Sequence, residues 1–146
     1  MPTARKSALV PQSCATLFGL VDDVERYPEF LPWCASTEVL ERDAHTTRAR
    51  IDVDYHGLKS HVTTRNAKEA PHRMTLELEE GPFERFSGEW TFRSLGERGC
   101  RVEFALEYEA KRGAVAVLLE GVFAYIASTI VDRFVERAAE VSGDVP

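Results

Sequence analysis

The chain has little from which to build redox, metal or nucleophilic chemistry. Its 146 residues include three cysteines, Cys14, Cys34 and Cys100. They are odd in number and widely spaced, with no C-x-x-C pair, so neither a disulfide framework nor a cysteine zinc site is indicated. A reducing cytoplasm is the expected compartment. There is no G-x-S-x-G elbow, no H-E-x-x-H and no phosphate-binding glycine loop, which leaves nucleophilic, metal-assisted and nucleotide chemistry without an anchor. No catalytic residue, metal ligand or required cofactor is assigned. No internal repeat or low-complexity segment is present, and a disordered tail is expected at most over Ser142 to Pro146. The basic start at Arg5-Lys6 runs into Ser7-Ala8-Leu9-Val10-Pro11, too short for the apolar core of a signal peptide, so export is not expected.

What is present suits one globular domain over residues 1–146, with 44% apolar and 29% charged residues. A net charge of -6 argues against general nucleic-acid binding, and DNA is not an expected partner. The charge is unevenly placed. Residues 42–73 hold seven Lys or Arg against four acids, together with all four histidines; residues 74–109 hold nine acids against four bases. Solvated strand faces of mixed sign are the preferred reading, and a locally basic surface is the alternative.

The middle of the chain alternates like half-buried antiparallel strands. Arg48 to Tyr55 and Leu58 to Arg65 flank the two-residue turn His56-Gly57. Pairing Tyr55 with Leu58 sets Val53 opposite Ser60 and Ile51 opposite Val62 on one face. Asp54 then meets Lys59 and Asp52 meets His61 on the other, a charge match that supports the register. Met74, Leu76 and Leu78 alternate likewise, as do Phe86, Gly88, Trp90 and Phe92, then Val102, Phe104, Leu106 and Tyr108. Gly88 suggests a kink or bulge, and Gly81-Pro82 a tight turn.

Two helices are available to cover one face of such a sheet. Gln12 to Val21 has Ser13 as a cap and Ala15, Leu17, Phe18 and Val21 as apolar residues. The longer one, Ala114 to Val141, carries Val115, Leu119, Val122, Phe123, Ile126, Ile130 and Phe134 at helical spacing. Its first half holds a single charge, Glu120. A membrane span is disfavoured by Glu120 and Gly121 near its middle, and a helix enclosed by protein on most sides is expected. Val117, Leu118 and Tyr125, off the main stripe, offer a transient membrane or partner contact.

Between the short helix and the first meander strand lies Val24-Glu25-Arg26-Tyr27-Pro28-Glu29-Phe30-Leu31-Pro32-Trp33-Cys34. Its prolines bias Tyr27 and Leu31 to extended geometry, and Tyr27, Phe30 and Trp33 are expected to point inward. By spacing alone the aromatics fill a solid core; a gap between curved sheet and helix, lined by them, is the alternative that leads to a ligand.

The V-x-x-Y-P-x-F-L-P-W-C run at Val24 to Cys34, the G-P-F-x-x-F-x-G-x-W-x-F run at Gly81 to Phe92 and the long apolar C-terminal helix together resemble the coenzyme Q-binding family of START-like proteins. That family includes the bacterial ribosome association toxins and sits within the polyketide cyclase and lipid transport superfamily. The resemblance spans nearly the whole chain. It implies an α+β helix-grip fold, a curved antiparallel sheet wrapped around the C-terminal helix with an apolar cavity. Two departures stand out: Glu107-Tyr108-Glu109-Ala110 adds charge near one end of the cavity, and Phe86 replaces a common Leu.

The implied guest is an isoprenoid quinone such as ubiquinone, or another lipid, carried or shielded in support of respiration. Cavity candidates are Tyr27, Phe30, Trp33, Tyr55, Val62, Leu76, Trp90, Phe92, Phe104, Tyr108, Leu119, Val122, Phe123 and Ile126. Val53 joins the tail channel, Trp33 or Trp90 stacks the ring, and Tyr108 or Tyr55 donates to its oxygens. The expected place is the cytoplasm, extending to the periphery of the inner membrane. The first alternative is a ribosome-directed protein that blocks subunit joining, supported by Arg48, Arg50, Lys59, Arg65, Lys68 and Arg73. The second is a cyclase- or dehydratase-like enzyme, for which His45, His56, His61 and His72 are candidates read as surface or structural residues, with Glu120 the more interesting acid. A non-enzymatic role is expected.

Overall fold

The computed structural model describes residues 3–141; the expected tail lies outside them. In chain order the elements are β1 (Thr3–Val10), α1 (Cys14–Asp22), a 3-10 segment (Val24–Glu29), β2 (Cys34–Arg42), β3 (Thr46–Tyr55), β4 (Leu58–Glu69), β5 (Arg73–Glu80), β6 (Phe83–Ser94), a short 3-10 turn (Gly96–Arg98), β7 (Cys100–Ala110) and α2 (Ala116–Val141). Strands β2 to β7 form a meander, and β1 pairs with β7 to give the order β1-β7-β6-β5-β4-β3-β2, antiparallel throughout. The long helix lies on the inner face, against β1, β7 and α1. This is the helix-grip arrangement.

The hairpin register follows the alternation residue for residue: Tyr55 opposes Leu58, Val53 opposes Ser60 and Ile51 opposes Val62. His56 and Gly57 both have positive φ, 52° and 86°, the backbone a tight two-residue hairpin requires. The charges placed opposite each other do not bond across the strands. Asp54 Oδ1 instead accepts from the Gly57 N–H at 3.1 Å, and Asp52 accepts from Ser36 Oγ at 2.8 Å and Arg50 Nε at 3.0 Å. Gly57 and Arg50 reach these carboxylates from within the hairpin, and Ser36 reaches Asp52 from the paired strand β2.

The short helix starts two residues later than expected, with Ser13 Oγ accepting from the Thr16 N–H. That start turns Cys14, Leu17, Phe18 and Val21 inward and leaves Ala15 exposed. In α2, Leu119, Val122, Phe123, Ile126, Ile130 and Phe134 are all buried. Each contributes about 1.5–3 kcal/mol of apolar burial, so this stripe rather than helix propensity holds α2 in place. Val115 precedes the helix and is exposed, and Val117 and Leu118 are 81% and 59% exposed, so the first turns are open to solvent rather than enclosed. No helix of the described residues is long and apolar enough to cross a membrane.

Three further expectations are corrected. Val24–Glu29 is 3-10 helix rather than extended. Proline's fixed φ suits that turn, and the burial of Tyr27, whose hydroxyl donates to the Val21 carbonyl, outweighs the pre-proline bias. The irregularity in β6 falls between Phe83 and Arg85, while Gly88 pairs regularly with Leu106. Finally, Cys14 and Cys100, 86 residues apart, form a disulfide. Gly99 makes that approach possible: at φ 120°, a Cβ there would stand 1.9 Å from the Val10 carbonyl oxygen. It lets the start of β7 run hard against the end of β1, beside the start of α1.

Candidate functional site

Sheet, connector and helix enclose a cavity of about 70 Å³. Its wall combines Val21 and Val24; Tyr27 and Trp33; Ala49, Ile51 and Val53 of β3; Val62, Thr64 and Asn66 of β4; Met74 and Leu76; Phe86 and Trp90; Phe104 and Leu106; and Phe123, Ile126 and Ile130 of α2. The alternation of each strand delivers these side chains to one face, and the stripe of α2 closes it. The volume is well below the roughly 300–1,000 Å³ that encloses a drug-sized ligand. A guest larger than a few heavy atoms therefore requires the walls to part.

Of the residues proposed from sequence, Tyr27, Trp33, Val53, Val62, Leu76, Trp90, Phe104, Phe123 and Ile126 lie in this wall, and Phe86 joins them. The others lie elsewhere. Phe30 packs edge-on to Phe134 at 5.1 Å with the Arg137 guanidinium 5.0 Å above it. Phe92 lies between Phe18 and Trp90 in solid core. Tyr55 stands 5.0 Å from Tyr125. Leu119 and Val122 are buried in α2 outside the lining, and Tyr108 is buried towards Glu120. Glu107 and Glu109, flanking Tyr108, face solvent, so their charge does not enter the cavity.

The polar groups of the wall are Thr64, Asn66, the Trp33 indole and the Tyr27 phenol. Thr64 Oγ1 donates to Asn66 Oδ1 at 2.9 Å. Trp33 Nε1 is buried without an acceptor among the described residues. Burial, with Asp22 nearby, holds the Tyr27 phenol well above its usual range, so it stays neutral. Neither Thr64 nor Asn66 was among the proposed residues, yet both share the parity of Val62 on β4. A polar side chain on the apolar parity of a paired strand was the available signal.

Farther along that face of β4, Lys68 donates to Asp22 Oδ2 at 3.0 Å, and Thr47 donates to Asp22 Oδ1 at 2.8 Å. Arg42 clasps Glu25 through both its terminal nitrogens at 2.7 and 2.8 Å, and that hydrogen bonding holds the Glu25 carboxyl down at about 2. Burial pushes the Cys34 thiol up to about 12.

Most cations of the 42–73 stretch are already paired: Arg48 with Glu79 and Glu41, Arg50 with Asp52, Lys68 with Asp22, and Arg73 with Glu69 and Glu89. Lys59 and Arg65 are exposed. None of the four histidines lines the cavity. Glu120 accepts from the Ala110 N–H at 3.0 Å, which ties α2 to the end of β7. Among the described residues no group of His, Cys, Asp and Glu is arranged to hold a metal ion.

At the start of α2 an open groove runs between the β3–β4 hairpin and the Gly81-Pro82 turn, lined by Leu58, Lys59, Val115 and Leu119 among others. A Cβ on Gly81 would stand 3.3 Å from Val62 Cγ1, so the Val62 side chain lies between groove and cavity.

Residues 10–135 match the family described as polyketide cyclase/dehydrase and lipid transport. A ribosome association toxin, RatA, from Pseudomonas aeruginosa is 39% identical, with 95% of this chain and 96% of that protein covered. The mitochondrial coenzyme Q-binding protein coq10 of Schizosaccharomyces pombe is 26% identical, over 92% of this chain and 85% of its own. Among solved structures, a START superfamily protein from Mycobacterium smegmatis superposes with a TM-score of 0.79 at 19% identity, covering 95% of this chain and 98% of that one.

Proposed function

The chain belongs to the polyketide cyclase/dehydrase and lipid transport family, among its START-like members, and on that premise we propose that it binds a neutral isoprenoid lipid, with ubiquinone as the leading ligand, and carries or shields it. The observation that supports this most is the cavity itself, a nearly continuous apolar wall with aromatic faces at Trp33, Trp90, Phe86 and Phe104. A quinone ring stacks on such faces, and a polyprenyl tail gains about 0.8 kcal/mol per buried methylene. Because the cavity is small, loading requires movement, and the first turn of α2, where Val117 and Leu118 are exposed, is weakly packed and suited to it. Val117 and Leu118, with Lys111 and Arg112 just before them, suit that end to an anionic bilayer surface, so exchange takes place at the membrane periphery. Respiratory enzymes are the consumers this reading implies. Solvent extraction of the purified protein, followed by mass spectrometry, tests it.

A second reading comes from the relative named as a ribosome association toxin. On that reading the protein engages a ribosomal subunit and blocks joining. The pairing of Arg48, Arg50, Lys68 and Arg73 leaves little free positive charge in that stretch, which weighs against electrostatic attachment to RNA. Ribosome profiles after overexpression test it: a rise in free subunits supports it, and an unchanged profile removes it. A cyclase- or dehydratase-like activity needs an acid or base positioned in the cavity. The wall described here offers hydroxyl, amide and indole groups, which supports a binding role over a catalytic one.

A further inference from the structure

We infer that the cavity wall is a hydrogen-bond-donor site, selecting a neutral ligand that carries carbonyl or ether oxygens over a hydrocarbon of the same size. This rests on the lipid-binding reading and narrows it to a ligand class. Trp33 is 5% exposed and lines the cavity, and its indole N–H, buried, meets no acceptor among the described residues. Asn66 is also 5% exposed and lines the same space. Its carbonyl end is engaged by Thr64 Oγ1 at 2.9 Å, which leaves its NH2 group as the end available to a guest. The other polar group in the wall, the Tyr27 hydroxyl, is committed to the Val21 carbonyl. The donors this apolar wall leaves for a ligand are the Trp33 indole N–H and the Asn66 NH2.

A buried donor left without an acceptor, as the Trp33 indole N–H is among the described residues, is costly, and native proteins seldom keep one without reason. Oxygens on a bound molecule supply the missing acceptors. The guest is neutral because the wall has no unpaired cation to offset a carboxylate: the nearest ammonium on the same strand face, that of Lys68, is held by Asp22 at 3.0 Å. The site therefore favours a quinone over a fatty acid as well as over a plain hydrocarbon.

Displacement of an apolar dye by decylubiquinone, dodecylbenzene and laurate measures this directly, on the wild type, Trp33→Phe and Asn66→Leu. The wild type is expected to prefer decylubiquinone by about tenfold or more over the other two, and each variant to lose about five- to tenfold for decylubiquinone alone. Equal affinity of the wild type for decylubiquinone and dodecylbenzene, or equal losses for both in the variants, overturns the donor site while leaving apolar binding intact. Binding of none of the three overturns the lipid reading as well. Should either variant fail to fold, the indole N–H resonance of wild-type Trp33 decides: a downfield shift with decylubiquinone and not with dodecylbenzene is expected, and its absence refutes the proposal.

Discussion

Lys68 Nζ lies 3.0 Å from Asp22 Oδ2, joining the inner face of β4 to the last residue of α1 across 46 positions of sequence. The ammonium side chain is 5% exposed and the carboxylate 20%. Thr47 occupies the other carboxylate oxygen, so the pair is fully hydrogen-bonded on the acid side. Such a pair gives little net stability but is costly to break from one side. Lys68→Met is expected to lower the unfolding free energy by about 2–4 kcal/mol, and adding Asp22→Asn to recover most of it. Urea denaturation with an unchanged m-value checks both. A single variant as stable as wild type contradicts this role.

Cavity-lining and solid-core side chains separate by the response of their variants to ligand. Phe92, 3% exposed, lies between Phe18 and Trp90 outside the cavity lining, and Phe92→Ala is expected to cost about 3–5 kcal/mol with no recovery on adding decylubiquinone. Ile126→Ala, at the cavity wall, is expected to cost about 2–4 kcal/mol and to regain part of this on adding decylubiquinone. Thermal melts with and without the quinone measure it; no ligand-dependent rise in either the variant or the wild type counts against a bindable cavity.

The cysteines divide by chemistry. The Cys14–Cys100 disulfide closes a long loop, and Cys100→Ser or reduction is expected to cost about 2–4 kcal/mol. Cys34, whose thiol burial pushes up to about 12, stays almost wholly protonated at about pH 8 and is expected to resist iodoacetamide until the protein is unfolded. Urea denaturation with and without reductant reads the first, mass spectrometry of alkylated native and urea-unfolded protein reads the second, and rapid native labelling of Cys34 contradicts the burial argument.

Val117 and Leu118 give the membrane contact its test. Because both are exposed, Val117→Asp with Leu118→Asp is expected to change stability by less than about 0.5 kcal/mol each. The same pair is expected to cut co-sedimentation with vesicles of anionic phospholipid severalfold, while zwitterionic vesicles bind weakly throughout. Equal sedimentation of variant and wild type removes this face from the exchange route.

The hairpin at Tyr55 and Leu58 was legible because alternation and a two-residue turn fix register together. The stripe of α2 was legible for the same periodic reason. Periodicity does not report conformation where tertiary burial overrides local bias, so the helical turn at Tyr27-Pro28 was missed. Nor does it report contacts between distant segments, and Cys14 meets Cys100 only once the β1–β7 pairing and the close approach at Gly99 have set the start of α1 beside the start of β7. Gly88 was read as a bulge but keeps regular pairing with Leu106. In the candidate site, the apolar lining followed from strand parity. Thr64 and Asn66 carried the same parity, but their polarity hid them among the expected donors, where Tyr55 and Tyr108 were preferred.

Extraction of the native protein with organic solvent, followed by mass spectrometry of the extract against a mock purification, addresses the lipid reading most directly. An isoprenoid quinone, ubiquinone foremost, recovered near stoichiometry and displaced by added decylubiquinone is the expected result. A clean extract from a protein that also fails to bind decylubiquinone in solution contradicts it.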